Sequence, residues 1–266
     1  MDKYEIVSSN FLELASEQRL KILSSLDSKP NRVSKLAKKL NVTSQEIHRN
    51  LERLSNSGFV KKKSDEHYHI TTIGKLMLSQ MPLMFFISMN QKYFSSHDMG
   101  ILPSKFSRRL GVLENCDHIK GVTKVLDVWK KIYRNSEEYL CDIINESPPG
   151  MDEILVKRIK NGVTYRHIIS SNLEEHETRS GDLAKLGYFE LIQQKKIIRR
   201  EIKSTGIVLI LNEKEAGIIF PTEDGIPDLR HMFYGNSMLF QDWCLDYFEY
   251  FWKKGKNISR IQPHSN

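Results

Sequence analysis

The sequence predicts a chain of mixed α+β and α/β class in three parts: a small N-terminal unit of helices closed by a β-hairpin (residues 1–75), a helical linker or dimerisation segment (76–123) and a C-terminal α/β domain (124–266). Three observations predict it. Amphipathic helical segments with sharp start and stop signals fill residues 8–57. A short strand–turn–strand pattern follows at 59–71. Beyond residue 124, helical and strand-like segments alternate, the pattern of a layered α/β domain.

Composition sets the bounds. With 266 residues, 39% apolar and 27% charged, the chain can bury a good core and reads as globular rather than disordered or fibrous. Cys116, Cys141 and Cys244 are far apart and odd in number, so a disulfide framework is not expected and a reducing, cytoplasmic setting is. The start, Met-Asp-Lys-Tyr-Glu, has no basic region followed by an apolar core, so no signal peptide is expected. The longest apolar stretch, residues 76–89, is interrupted by Ser79, Gln80, Pro82 and Ser88, too short and too broken for the ~20 apolar residues of a membrane span. No membrane partner is expected.

Residues 8–28 read as a helix with Leu20, Leu23 and Leu26 on one stripe, and Ser16 placed to cap a break inside it. Lys29-Pro30-Asn31 stops it. Val33, Leu36, Ala37 and Leu40 then keep the i, i+3, i+4, i+7 spacing of a short amphipathic helix. Asn41 suits the left-handed turn after it. The next helix, 43–57, has the clearest local signals. Thr43 and Glu46 have capping-box spacing, Val42 and Ile47 are placed as a hydrophobic staple, and Gly58 followed by Phe59 is a glycine stop. Ile47, Leu51 and Leu54 form its buried stripe. Residues 59–63 and 67–71 are strands around the polar turn Ser64-Asp65-Glu66. Helix, turn, helix and hairpin in this order predict a winged helix-turn-helix.

A long helix from Thr71/Thr72 toward Tyr93, kinked at Pro82, is expected next, with a helical pattern resuming over 105–113. Further on, helices are expected near 125–133, 151–160, through most of 173–195, and at 237–254. Strands are expected at 139–144, 163–170, 197–203, 207–212 and 215–220, with 207–212 central because it is almost wholly apolar. Ser147-Pro148-Pro149-Gly150 and residues 222–236 read as loops.

Function is concentrated in the N-terminal unit. Residues 29–63 carry ten Lys/Arg against two acids, a local excess larger than the +7 of the whole chain. Such a cluster is the electrostatic footprint of a phosphate binder. A helix-turn-helix lays its second helix in the major groove of double-stranded DNA. With the apolar stripe inward, helical geometry turns Ser44, Gln45, His48, Arg49, Glu52 and Arg53 outward or to the flanks. Arg suits guanine and Gln suits adenine in bidentate contacts, with Ser and His as secondary contacts. Lys61, Lys62 and Lys63 on the hairpin, with Lys35, Lys38 and Lys39 before the turn, would neutralise phosphates, and His67 would touch a phosphate or the minor groove.

The runs Ser16-Glu17-Gln18-Arg19-Leu20-Lys21-Ile22-Leu23, Val33 to Leu40, and Ile47 to Leu54 with Gly58-Phe59-Val60 resemble ArsR-type winged-helix repressors. Phe94-Ser95-Ser96-His97-Asp98, Leu102-Pro103 to Leu110-Gly111, Gly162-Val163 to Ile169 and Trp243 to Trp252 resemble the archaeal regulators named for the methanogenesis regulatory protein, whose extra domain follows the winged helix. The resemblance implies transcription regulation, usually as a homodimer. Metal-sensing ArsR repressors carry a Cys-x-Cys motif in the helices corresponding to 32–40 and 43–57, and these contain no cysteine, so the resemblance does not extend to that chemistry.

Other constellations read as structural. His67 and His69 lie two apart on a strand, and Cys116 and His118 two apart near a loop, but neither supplies four ligands, so no metal or cofactor is expected. His118-Ile119-Lys120 resembles the His-x-Lys start of phospholipase D-type sites, but residue 125 is Val where an acid is needed and no second His-x-Lys exists. Glu174-Glu175-His176-Glu177 reads as a solvated helix start. There is no phosphate-cradling glycine loop and no Gly-x-Ser-x-Gly elbow, so an enzyme is not expected. Met77, Met81, Met84 and Met89 with Phe85 and Phe86 are core, a dimer seam, or a wall for a small-molecule effector. Trp243, Tyr247, Tyr250 and Phe251 on the closing helix pack against the sheet. The expected function is a sequence-specific, dimeric DNA-binding regulator with an effector-sensing or dimerisation domain. The alternatives are a ligand-binding or phosphodiesterase-like module anchored to DNA, and a non-specific chromatin factor.

Overall fold

A computed structural model describes residues 2–144, 148, 150–170 and 177–258. It has mixed α+β architecture, with a helical N-terminal region and a C-terminal sheet, and divides into two compact units, Met1–Pro82 and Leu83–Asn266.

The N-terminal unit contains α1 (Lys3–Leu14), α2 (Glu17–Ser28), α3 (Val33–Leu40), α4 (Ser44–Asn56), β1 (Val60–Lys62), β2 (Tyr68–Ile70) and α5 (Thr72–Leu78). The helix expected over 8–28 is two helices. Ser16 Oγ accepts from the Arg19 N–H at 3.4 Å and caps the second. Arg19 is buried and closes the end of the first, donating to the Glu13 and Leu12 carbonyls at 2.7 and 2.8 Å. Those are orphan acceptors of a helix C-terminus, which a cation suits. Ile22, Leu23, Leu36, Ile47, Leu51, Leu54 and Phe59 are fully buried and form one core. β1 pairs antiparallel with β2, Lys61 opposite His69, and Asn31 adds a bridge to Tyr68 on the other edge.

The long helix expected from Thr72 to Tyr93 is three pieces, α5, α6 (Met81–Met89) and α7 (Gln91–Phe94). The break is at Ser79-Gln80, where Ser79 Oγ donates to the Leu76 carbonyl at 2.7 Å, rather than at Pro82. Pro82 lies in the first turn of α6, where its missing N–H costs nothing. Residues Thr72–Met89 are long and apolar enough to cross a membrane by composition, but that break divides them.

The C-terminal unit continues with α8 (Ser104–Ser107), a 3-10 turn (Leu110–Leu113), β3 (Asp117–Lys120), α9 (Val122–Asn135), β4 (Tyr139–Ile144), α10 (Asp152–Lys160), β5 (Thr164–Ser170), α11 (Glu177–Lys185) and α12 (Tyr188–Gln193). Then come β6 (Ile197–Ile202), β7 (Val208–Asn212), β8 (Ala216–Ile219), β9 (His231–Gly235), α13 (Met238–Lys254) and β10 (Lys256–Asn257). The sheet has eight strands in the order β10-β6-β5-β4-β7-β8-β9-β3. Among the described residues only β4–β5 and β5–β6 are parallel. Strand parity splits its apolar side chains between two cores. Cys141, Ile143, Leu209 and Leu211 face α13 and Phe86, Tyr93 and Phe106, while Leu140, Ile144, Val208 and Ile210 face α9, α10 and α12. The segment expected as a separate linker, 76–123, is therefore not one body: Phe86, Tyr93, Phe106, Leu110 and Leu113 are buried in the first of these cores.

β7 is buried throughout and central, as its apolar run predicts. β3 and β9 fall in stretches expected to be loops. They form an edge pair, and Asp117, His118 and Lys120 lack the apolar alternation that marks a strand, so pairing rather than local pattern makes them strands. The expected loop at Ser147-Pro148-Pro149-Gly150 lies largely outside the described residues, as do Glu174, Glu175 and His176; Glu177 opens α11.

Candidate nucleic-acid interface

The position of α4 is dictated at both ends and along one side. Asn41 takes the left-handed conformation (φ 55°), and Thr43 Oγ1 accepts from the Glu46 N–H at 3.1 Å. At the far end the Phe59 N–H donates to the Leu54 carbonyl at 2.8 Å and the Gly58 N–H to Ser55 at 2.9 Å, both bonds of a Schellman stop. Gly58 has φ +73°, which a side chain would strain. Between the ends, Ile47, Leu51 and Leu54 are 0% exposed. Burying each is worth about 1.5–3 kcal/mol, so turning the helix to expose all three would cost about 5–9 kcal/mol. The outward face is thus fixed by the inward one.

That outward face holds most of the residues expected to read bases. Ser44, Gln45, His48 and Arg49 are exposed and, with Val33, Thr43, Glu46 and Glu52, line an open depression along the first half of α4. Arg53 departs from expectation. Its guanidinium is bidentate on Glu13 of α1, at 2.6 and 3.1 Å, so it ties α1 to α4 instead of standing free. The partner carboxylate is mostly buried and also touches Arg19 at 3.2 Å. Its pKa lies below the ordinary 4.5, chiefly through the Arg53 hydrogen bond, against the opposing effect of burial.

Around this face stand the cations. Lys35, Lys38, Lys39, Lys61 and Lys63 are exposed, and neither they nor Arg49 make an ion pair among the described residues. Lys62 is paired with Glu66 at the tip of the hairpin. His67 is half-buried against Asp65, whose side chain accepts from the His67 N–H at 3.1 Å. Two residues not expected at the site support the hairpin. Arg32 donates to the Asp65 carbonyl at 3.3 Å, and Asn31 exchanges backbone hydrogen bonds with Tyr68 at 2.9 and 3.3 Å. Arg32 lay in the basic run; nothing local to Asn31 signals its bridge.

Residues 9–85 match the profile of a family described as the HVO_A0261 N-terminal domain. The matched segment contains the whole capped helix, the basic turn and the hairpin, and is less than a third of the chain. No curated protein is similar enough to count as a relative. Among solved structures, the chain is similar to TrmBL2, described as an archaeal chromatin protein that shows a novel mode of DNA binding, with 10% identity, a TM-score of 0.44, and coverage of 97% of this chain and 100% of that one. It is also similar to the phospholipase D family member Nuc from Salmonella typhimurium, with 11% identity, a TM-score of 0.40, and coverage of 54% and 99%. A third likeness, to the dimethyltransferase RosA from Streptomyces davawensis, has 8% identity, a TM-score of 0.28, and coverage of 76% and 65%. At such scores none of them fixes a function.

The C-terminal unit holds three further groups. Leu83, Phe86, Phe94, Met99 and Leu110 line an open apolar cleft of about 620 Å³ beside His97 and Asp98. In the interior, the Tyr133 and Tyr165 hydroxyls donate to Asp142 Oδ2 at 2.6 and 2.8 Å, and His167 Nδ1 meets Oδ1. Finally, one ligand atom each from His97, Asp228 and His231 lie within 4.8 Å of one another. His118 and Lys120 are on β3 near this group, and Val125, where a phospholipase D-type site needs an acid, is fully buried in α9.

Proposed function

We propose that the chain is a sequence-specific transcription regulator that binds double-stranded DNA through a winged helix-turn-helix, with α4 in the major groove and the β1–β2 hairpin as the wing. The observation that carries this reading is the first half of α4: Ser44, Gln45, His48 and Arg49 are held outward by three fully buried partners, beside lysines that have no acidic partner among the described residues. Gln45 and Arg49 have the donor and acceptor geometry for adenine and guanine edges, and Lys35, Lys61 and Lys63 are placed for phosphates. The ArsR-type resemblance read from the sequence points the same way.

The regulator acts as a homodimer on a pseudo-palindromic site with half-sites about one helical turn apart. Exposed apolar side chains favour this: Tyr4, Val7 and Phe11 at helical spacing on α1, and Leu76, Phe85 and Met89 further on. The cleft lined by Phe86, Phe94 and Met99 suits a small apolar effector whose occupancy changes operator affinity.

Mobility-shift assays with genomic fragments test the reading. A discrete set of fragments retained at physiological salt supports it. Equal affinity for every duplex would instead favour a non-specific chromatin factor and refute sequence-specific regulation.

A further inference from the structure

A buried histidine and a buried aspartate face each other in the C-terminal unit. His97 follows α7, and its Nδ1 lies 2.9 Å from the Tyr93 carbonyl oxygen, which can only accept. Ser96 Oγ stands 3.1 Å from the same nitrogen, and in the tautomer that serves the carbonyl Nδ1 carries the hydrogen. In that tautomer Nε2 presents a lone pair. That lone pair points at Asp228 Oδ2, 3.1 Å away. The two side chains are each 6% exposed. A divalent ion admitted between these two groups would be held by both.

The surroundings are those of a metal site. The Tyr93 ring stacks on His97 with centroids 3.9 Å apart, which fixes the imidazole plane. Arg230 donates to both Asp228 oxygens, at 2.9 and 3.2 Å, and orients the carboxylate. His231 enters from β9, and His118 from the neighbouring strand stands with Nε2 3.1 Å from His231 Nδ1. A histidine whose second nitrogen donates to a backbone carbonyl is the usual arrangement of a metal ligand, since that bond sets the tautomer.

We propose that His97, Asp228 and His231 bind one divalent first-row transition-metal ion. Ligands about 2.0–2.2 Å from a tetrahedral ion lie about 3.3–3.6 Å from one another, so His97 and Asp228 need only a small opening to admit it. Two imidazoles and a carboxylate are a borderline nitrogen–oxygen set that suits zinc, iron(II) or manganese over calcium. Three protein ligands leave a further position, on which His118 borders. An ion here would clamp the turn after α7 to the β9 edge of the sheet, residues more than a hundred positions apart.

Calorimetric titration of the chelator-treated full chain with zinc chloride tests this, with cobalt(II) absorbance as a second readout. One equivalent should bind, and the cobalt form should show visible d–d bands. Asp228→Asn and His97→Gln should each weaken binding by about tenfold or more, while His67→Asn and Cys116→Ser leave it unchanged. Thermal melts of the metal-free variants check that they fold. Should the His97 variant not fold, the part-exposed His231→Asn carries the same expectation. Absence of a saturable site for zinc, cobalt and manganese would overturn the proposal, and so would binding that the folded Asp228 and His231 variants leave unchanged. A nitrogen NMR spectrum with both His97 nitrogens protonated in the presence of zinc would show that the cation is a proton, and would overturn it too.

Discussion

Removing the wing lysines should change affinity by an amount that the hairpin geometry specifies. Lys61 and Lys63 flank Lys62, the last residue of β1, and among the described residues only Lys62 of the three is paired with an acid, Glu66. Under the proposed function Lys61 and Lys63 count as two phosphate contacts, and Lys62 as less than one. Each contact contributes about 0.9 to the slope of log K against log salt. Lys61→Ala with Lys63→Ala should therefore flatten that slope by about 1.8 per bound chain. Referred to 1 M salt, where the counterion contribution vanishes, this is about 60-fold in affinity at 0.1 M. Lys62→Ala alone should flatten it by clearly less than 0.9. Fluorescence anisotropy on one duplex across a salt series reads both numbers, and sequence preference should not change. An unaltered slope in the double variant, or a Lys62 effect as large as that of Lys61, would refute the reasoning.

Three further outcomes follow from the structure. Glu13 is held below its ordinary 4.5, so its contribution is complete above that pH and is lost as pH falls through the lower folded value; Glu13→Gln should remove this acid-side dependence from urea melts of the full chain. Asp142→Ala leaves two buried tyrosine hydroxyls and His167 without their acceptor, and should lower stability by about 3–5 kcal/mol in denaturant titrations. Gly58→Ala forces a side chain into a left-handed position and should cost about 1–2 kcal/mol, where Thr43→Ala at the other end of α4 should cost about 1 kcal/mol; equal stability in either variant would contradict the described caps.

The N-terminal unit was legible because its signals are local. Thr43, Asn41, Gly58 and Phe59 act within a few residues of themselves, and the structure places each in the role its spacing predicts. The outward face of α4 follows from the same periodicity. The tie of Arg53 to Glu13 is not legible in the sequence, because the partner is forty residues away on a helix whose packing the periodicity does not give. The same reason hides most of the C-terminal chemistry. β3 is a polar edge strand defined by its pairing with β9, and β9 is short and set between β3 and β8. His97 and Asp228 are separated by 131 residues, so no motif search joins them. Central strands such as β7 announce themselves by being buried on both faces; edges and long-range clusters do not.

Selection of bound sequences from a random duplex pool, run in parallel for the natural chain and for Gln45→Ala with Arg49→Ala, addresses the reading face of α4 directly. The account predicts that the natural chain enriches a motif with two related half-sites, and that the variant loses base preference at the positions those two side chains contact while still binding DNA. Enrichment of the same motif by both proteins would contradict it.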